Sequence, residues 1–552
     1  MLPLSSRFQA TACRTPSSAV WRSFPRNALR DVSYYGWRAP VAKARPGHLV
    51  RTTQLDKTVG QDVPQPERSV ETDVEPLDWT KAWYPVAIES DLNPMAPKPI
   101  EILGRDIVLW NEKGEWRCFE DVCPHRLAPL SEGRIEPSDG SLMCSYHGWR
   151  FDGGGNCVDI PQVKAKTHEE GSPCKNSRSK VTTFPTKVVD GMVWVWPDAS
   201  PSAYIDSSMS EPFRTDVDFE ASTTLYPLYM REVPYSFDIV MENSMDPSHV
   251  AYAHHGIQGN RDTAGWMEAK VEKVPEDSKA AMRIGMKSLM LPTALKQAPE
   301  EGDEEIVQTT EMEFIEPGTT LYSDMKNGKV FMHLMINMTP TSPGKSKLFF
   351  RGVIMQSLPW FVKLQMKIAR PKWLVHLENN AVSDGDIVLL RPQGQTLRKA
   401  AQQGETWNSK YFIPSTADLM IAKFRSWFHG KRGGGGPKLP NGDLLCSSVE
   451  PLLNKEEMLD RYHSHTKHCK ACSGAMRNFG ILEKCASVVA AGLGVSMLMI
   501  VQGLSKSGGA GAGPIGKVVC VGLGALVALF VSIKSKQMKQ KFVYTGYDHW
   551  AT

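Results

Sequence analysis

Residues 121–151 read DVCPHRLAPLSEGRIEPSDGSLMCSYHGWRF, and no other stretch constrains the chain as strongly. Cys123 and His125 form one pair, and Cys144 and His147 form a second after an eighteen-residue gap. Two thiolates and two imidazoles suit a [2Fe–2S] cluster in which two His replace two Cys on one iron. That exchange removes anionic charge and raises the reduction potential above that of an all-thiolate cluster. A structural zinc site uses the same ligand types, but its arms usually space paired ligands by about two to four residues. The Cys-x-His arm is too short for that habit. A centre of this kind takes an electron from a low-potential donor and passes it on.

The surrounding pattern is that of a small β-rich domain over 79–200. WTKAWYPVA (79–87) is aromatic and β-branched, and EILGRDIVLW (101–110) alternates. A turn at Asn111–Gly114 precedes the resumption at 116–119, which predicts a hairpin. Gly-rich 151–156 makes another turn, and Val193–Trp196 a closing strand before Pro197. Residues 201–430 read as a larger α+β domain. Its strand-like segments are 214–226 and three alternating runs at 308–316, 329–338 and 347–355, which predict an antiparallel sheet. A helical pattern over 360–382 is interrupted at Pro371.

A second constellation, ENSMDPSHVAYAH, lies at 242–254 and contains Asp246, His249 and His254. Two histidines with a distant carboxylate make the facial triad of non-haem Fe(II), which leaves coordination positions open for O₂ and substrate. Asp246 precedes His249 by three residues, so a helical turn would put both on one face. The five-residue step from His249 to His254 needs a distorted or ending helix, and leaves His255 open as a substitute. An electron delivered by the cluster needs such a destination.

Together these stretches resemble the Rieske non-haem iron oxygenases. More narrowly, CPHRLAPLSEGRI, CSYHGW, IPQ (160–162), MENSMDPSHVAYAHHG and SDGDIVLL resemble the plastid group that contains pheophorbide a oxygenase, from about Asp78 to the C-terminus. The resemblance implies that Cys123, His125, Cys144 and His147 hold a Rieske cluster, and that His249 and His254 hold a mononuclear iron. It implies a third iron ligand within Ser383–Ile387, where Asp386 is the choice and Asp384 the alternative. Asp246 would bridge the cluster histidine of one subunit to the iron histidine of the next, in a homotrimer. Ferredoxin would be the donor, and the substrate a chlorophyll-derived tetrapyrrole, with ring-opening of pheophorbide a the leading reaction. A chlorophyll precursor such as protochlorophyllide or a linear bilin are the other oxygenase readings. A redox-sensing component of a plastid membrane assembly is a reading of another class.

The ends of the chain carry location. Nine basic residues and one acid, Asp31, lie between Met1 and Arg51, which predicts an organelle transit peptide in 1–60, followed by a polar linker over 61–78. A net charge of +4 on 22% charged residues is too mild to argue for nucleic acid. The eleven scattered cysteines do not form a secreted disulfide framework. Residues 431–480 are expected to be a linker that opens at the Gly-rich run 431–437. It carries Cys469 and Cys472, open between a thiol switch, a zinc site with neighbouring histidines, and an inert pair. The family resemblance associates this pair with thioredoxin control. Apolar stretches at 486–504 and 518–533, inside 481–552, predict a transmembrane helical hairpin and tail, since a bilayer core needs roughly 20 helical residues. Lys534, Lys536, Lys539 and Lys541 then place the catalytic body on the positive side, which in a chloroplast inner envelope or thylakoid membrane is the stroma.

Overall fold

The computed structural model describes residues 75–164, 171–215, 217, 222–275, 278–290, 308–326, 328–447, 453–507 and 512–551. The transit segment (1–60) and most of the linker (61–78) lie outside these residues. The described chain is α+β, as its alternation of strand and helix patterns predicts.

The cluster domain is a set of short antiparallel sheets. Tyr84–Ile88, Met192–Val195 and Thr186–Val189 make one. Lys98–Ile102, Arg105–Glu112, Glu115–Glu120 and Thr183–Phe184 make the second. The expected hairpin forms with Glu112 opposite Glu115. Lys113 and Gly114 both take positive φ, 52° and 104°, the two-residue geometry whose twist matches the flanking strands. The stretch 101–110 is not one strand, however. Leu103 and Gly104 also take positive φ, 51° and 70°, and fold the chain into a second tight hairpin with Ile102 opposite Arg105. A third sheet of two- and three-residue strands, Arg134–Ile135, Leu142–Met143, Arg150–Phe151 and Cys157–Asp159, carries the ligand arms.

The larger domain is a seven-stranded antiparallel sheet. Six strands from Ala264–Glu272 to Ser346–Ile354 follow one another as a meander, and Thr223–Val233 closes the edge by pairing with Ser346–Ile354. The strand expected over 214–226 begins only at Thr223. Between 308 and 354 there are four strands rather than three runs, because Thr319–Lys326 is a strand in its own right. Three helices, Phe237–Ser244, Lys372–Gln402 and Leu419–His429, pack on this sheet. Phe237, Ile239, Phe314, Met338, Ile387, Leu390 and Phe424 form the centre of the buried core. The helical pattern is interrupted at Pro371 as expected: Trp360–Ala369 is a separate short helix, and Pro371 caps the start of the long one. Gly394 lets the long helix approach Phe237–Ser244 closely, because a Cβ there would sit 3.2 Å from Ile239.

The Gly-rich run 431–437, expected to open a linker as a flexible break, is instead folded against the body, as are the residues that follow to 447. Arg432 pairs with Glu316, Trp79 Nε1 donates to the Gly433 carbonyl (3.1 Å), and Leu445 is fully buried. The two C-terminal helices, Lys470–Ser507 and Ala512–Lys541, form an antiparallel hairpin. Ser487 meets Ser532 at 2.7 Å, and Glu483 pairs with Lys539 at 2.6 Å. Both are long and apolar enough to cross a membrane, and Val488, Leu498, Met499, Leu526 and Val527 are more than half exposed. The first helix has 38 residues, so it is about 57 Å long and exceeds a hydrocarbon core of roughly 30 Å. Its first turns therefore belong to the body, where Cys472 and Ala475 are buried against Leu377 and Phe542.

Candidate functional site

The two arms at 123–128 and 144–149 are built alike. In each, the cysteine N–H donates to a carbonyl five residues on, Cys123 to Ala128 and Cys144 to Trp149, both at 2.8 Å. The cysteine carbonyls accept from Leu127 (2.9 Å) and Gly148 (3.0 Å). Leu127 and Gly148 share positive φ, 62° and 76°, a conformation that glycine adopts freely and leucine takes only when its surroundings hold it there. Cys123 and Cys144 are buried, whereas His125 is exposed. The His125 ring lies 4.5 Å from that of His147 and stacks on Trp149 at 4.6 Å. Gln162 holds the second arm by donating to the His147 carbonyl at 2.7 Å. Burial pushes the Cys123 thiol up to about 12, so a thiolate there needs cationic charge beside it. Paired buried sulfurs and paired imidazoles at the surface fit a two-iron cluster whose histidine end a donor can reach.

The second centre is assembled from two distant segments. A single helical turn, Val250–Ala253, has His249 at its N-cap and His254 at its C-cap, which is how two imidazoles five residues apart come to face one point. His254 Nε2 lies 3.3 Å and His249 Nε2 3.6 Å from Asp386 Oδ1 on the long helix, and the three ligand atoms fall within 4.8 Å of one another. Asp384 goes elsewhere. Two residues apart on a helix is about 200° of rotation, so Asp384 faces the opposite side, buried between Arg231 and Arg461 at 2.7 Å from each. His255 is turned out of the group, its Nδ1 accepting from the Arg261 N–H at 3.1 Å.

Asp246 and His249 do meet, but through a turn rather than a helix. Asp246 Oδ1 accepts from the Ser248 N–H at 2.8 Å and from its hydroxyl, and Oδ2 lies 3.6 Å from His249 Nδ1. Burial works against a charged His249, but the Asp246 hydrogen bond and the neighbouring carboxylates outweigh it and raise its pKa. Burial lowers His254 to about 3 and raises Asp386 to about 6. Two imidazoles and a buried carboxylate that converge on one point are the donor set of a facial-triad iron.

A cavity of about 400 Å³ opens on this group, lined by Asn243, Asp246, His249 and Asp386 on one side and Leu389, Phe412 and Ile413 on the other. Phe412 and Leu389 are largely exposed at its mouth.

Several contributors carry no spacing signal in the sequence. Asn243 Nδ2 lies 3.2 Å from His249 Nε2 and 3.5 Å from Asp386 Oδ1. Its place in the ENSMDPSH stretch was the only available hint. Tyr547, in the tail beyond the C-terminal helices, donates to the Ala253 carbonyl at 2.9 Å and so pins the corner before His254. Gly385 makes that approach possible: a Cβ there would sit 3.0 Å from the Tyr547 hydroxyl and 3.1 Å from the Ala253 carbonyl. Gly385→Val is therefore expected to push the His254 corner off Asp386 and to weaken iron binding about 10- to 100-fold. Metal titration of the purified variant measures this, and an unchanged affinity would refute the packing argument. Cys469 and Cys472 lie far along the chain from this centre and meet His376 and His465 instead.

Residues 82–185 match the Rieske [2Fe-2S] domain family, and residues 309–404 match the pheophorbide a oxygenase family. The chain is 33% identical to pheophorbide a oxygenase, chloroplastic, of Oryza sativa subsp. japonica over 88% of each chain. It is 30% identical to flavonoid 8-hydroxylase 2, chloroplastic, of Ocimum basilicum over 90% of each. It is 28% identical to protochlorophyllide-dependent translocon component 52, chloroplastic, of Arabidopsis thaliana over 76% of this chain and 77% of that one.

Proposed function

Because the chain belongs to the Rieske non-haem iron oxygenases of the pheophorbide a oxygenase group, we propose that it is a ferredoxin-dependent monooxygenase of a chlorophyll-derived tetrapyrrole, with oxygenolytic ring-opening of pheophorbide a as its reaction. The observation that carries this reading is the meeting of His249, His254 and Asp386 at the wall of an open cavity. A pure electron carrier or redox sensor has no use for that triad.

When bound, the cluster supplies single electrons and the mononuclear iron supplies a place where O₂ is activated. The chain's own residues do the rest. Cys123 and Cys144, which are buried, and His125 and His147, which lie nearer the surface, would hold the cluster and leave the histidine side within a donor's reach. Asp246 holds the Nδ1 side of His249, so that Nε2 faces the metal position. Leu389, Phe412 and Ile413 give a flat, apolar molecule a surface to lie on. One atom of O₂ enters the substrate and the other leaves as water, with two electrons from the donor and two protons; the second oxygen that a ring-opened product needs is then added from a water molecule as the carbon–carbon bond breaks.

The family resemblance implies that Asp246 bridges to the cluster histidine of a neighbouring subunit in a homotrimer, and we take that as the working form. Asp246→Asn is expected to retain the cluster and the mononuclear iron while slowing turnover about 10- to 100-fold. The drop should reside in the re-oxidation of the cluster, followed optically in a single turnover. Normal re-oxidation with slow product formation would place Asp246 outside the electron path. The two apolar helices tether the body to a plastid membrane, inner envelope or thylakoid. The run Lys534–Lys541 holds body and tail in the stroma, where ferredoxin and an apolar substrate released from the bilayer are both at hand.

The relatives differ by name in what they act on, so the test is a panel. Ferredoxin-reduced protein is incubated with pheophorbide a, protochlorophyllide a, a linear bilin and a flavone under ¹⁸O₂. Ring-opened pheophorbide carrying one ¹⁸O is the expected product. Turnover of another substrate alone would keep the mechanism and discard the assignment. No turnover with both centres loaded would favour the sensor.

A further inference from the structure

We propose that Cys469, Cys472, His376 and His465 form a second, structural metal site that takes one zinc ion and clamps the foot of the membrane anchor to the catalytic helix. The four residues come from three places: His376 from the first turns of the helix Lys372–Gln402, His465 and Cys469 from the segment before the anchor, and Cys472 from the first turn of the helix Lys470–Ser507. All are 0–2% exposed, and one ligand atom from each falls within 4.8 Å of the others.

The distances are those of a tetrahedron around one ion. His465 Nε2 lies 3.3 Å from Cys472 Sγ, and His376 Nδ1 lies 3.5 Å from Cys469 Sγ and 3.7 Å from Cys472 Sγ. With Zn–S near 2.3 Å and Zn–N near 2.0 Å, the S···N edge of a tetrahedral site is about 3.5 Å. A two-iron cluster would hold the sulfur and imidazole pairs further apart, on separate irons. The outer shell is also that of a metal ligand. His465 Nδ1 sits 2.6 Å from the Met230 carbonyl, which fixes the proton on Nδ1 and turns the lone pair of Nε2 toward the sulfurs. His376 presents Nδ1 to both sulfurs, and its Nε2 has no hydrogen-bond partner among the described residues. Two thiols and two imidazoles form a closed set of borderline-soft donors with no open position, the signature of structural zinc.

The location gives the site a role that does not depend on the substrate. His376 precedes Asp386 by ten residues on one helix, about 15 Å along its axis. Zinc would tie that helix to the anchor, while Arg231 and Arg461 tie the same helix through Asp384. A thiol switch needs a partner's cysteine to reach these sulfurs, and in this arrangement they are buried.

The test uses the full chain purified in mild detergent under reducing, anaerobic conditions. Elemental analysis is expected to find about one zinc per chain beside the iron, and zinc-edge X-ray absorption to find two sulfur and two nitrogen neighbours at about 2.3 and 2.0 Å. The double variant Cys469→Ser, Cys472→Ser should lose zinc at least tenfold while the Rieske spectrum and iron content stay unchanged. The absorption measurement on the parent protein needs no variant, so a misfolded double variant leaves the proposal decidable. Less than about 0.1 zinc per chain after equilibration of the reduced protein with Zn²⁺ would overturn it, as would zinc seen with nitrogen and oxygen neighbours only. A disulfide that re-forms while zinc never binds would assign the pair to redox control instead.

Discussion

His249→Ala is expected to abolish oxygenation, by at least about 100-fold, while leaving the visible and paramagnetic signature of the Rieske cluster intact. The two proposed ligand sets share no residue: the candidate cluster ligands lie within 123–147, and His249 stands at the start of a separate helical turn facing Asp386. Removing one of three protein ligands from a facial triad leaves only His254 and Asp386, too few to hold Fe(II) against water. Iron content should fall from about three to about two per chain. The measurement is iron analysis paired with the spectrum and with product formation. Retained oxygenation would mean that the triad is not the reaction centre, and loss of the cluster spectrum would mean that the substitution acts on the fold.

Arg425→Met is expected to be the most destabilising single change near the site. Asp238 and Glu242 lie one turn apart on the helix Phe237–Ser244, both buried. Arg425 answers both, with Nη1 2.7 Å from Asp238 Oδ2 and Nε and Nη2 on Glu242, while Arg398 takes the rest of Asp238. Breaking such a network by removing the cation strands buried charge and costs about 3–5 kcal/mol. Burial alone would raise Asp238, but Arg398 and Arg425 outweigh it and hold its carboxyl well below the usual range. The folded-state pKa of Asp238 is depressed, so its pairing contributes stability above the unfolded value of about 3.9, and that contribution is lost as pH falls through the folded value. The variant should therefore lag the parent most at neutral pH, and the gap should narrow as pH falls toward 4 and the stranded carboxyls protonate. Thermal melts in detergent across this range decide it. A melting temperature within about 1 °C of the parent at pH 7 would show that the network carries little stability. The same helix carries Asn243 and ends at Ser244, two residues before Asp246, so the damage should also appear as weaker iron binding.

The cluster arms were legible because their chemistry is local. Both ligands of each arm lie within four residues, and the backbone bonds from Cys123 to Ala128 and from Cys144 to Trp149 close within the same short loops. The hairpin at Lys113–Gly114 was legible for the same reason. The turn at Leu103–Gly104 was not, because leucine gives no sign of a left-handed conformation, and the alternation across 101–110 continues through the bend. The His249–His254 spacing forecast an ending helix, and one turn between the two residues satisfies it. The choice between Asp386 and Asp384 lay beyond composition or spacing: both are acids on one helix, and only what packs on each side separates them.

By itself, the sequence determined which residue sets the chemistry can draw on: two Cys–His pairs suited to a cluster, a histidine pair awaiting a carboxylate, and two apolar stretches long enough to cross a membrane. These depend on residue type and short spacing, which survive any arrangement of the rest. Tertiary structure alone decided which carboxylate faces the histidines, that Tyr547 from the tail braces the corner at Ala253, and that His376 joins a cysteine pair some ninety residues away. Such contacts are set by helix rotation and by the packing of segments distant in the chain, and no local pattern encodes either.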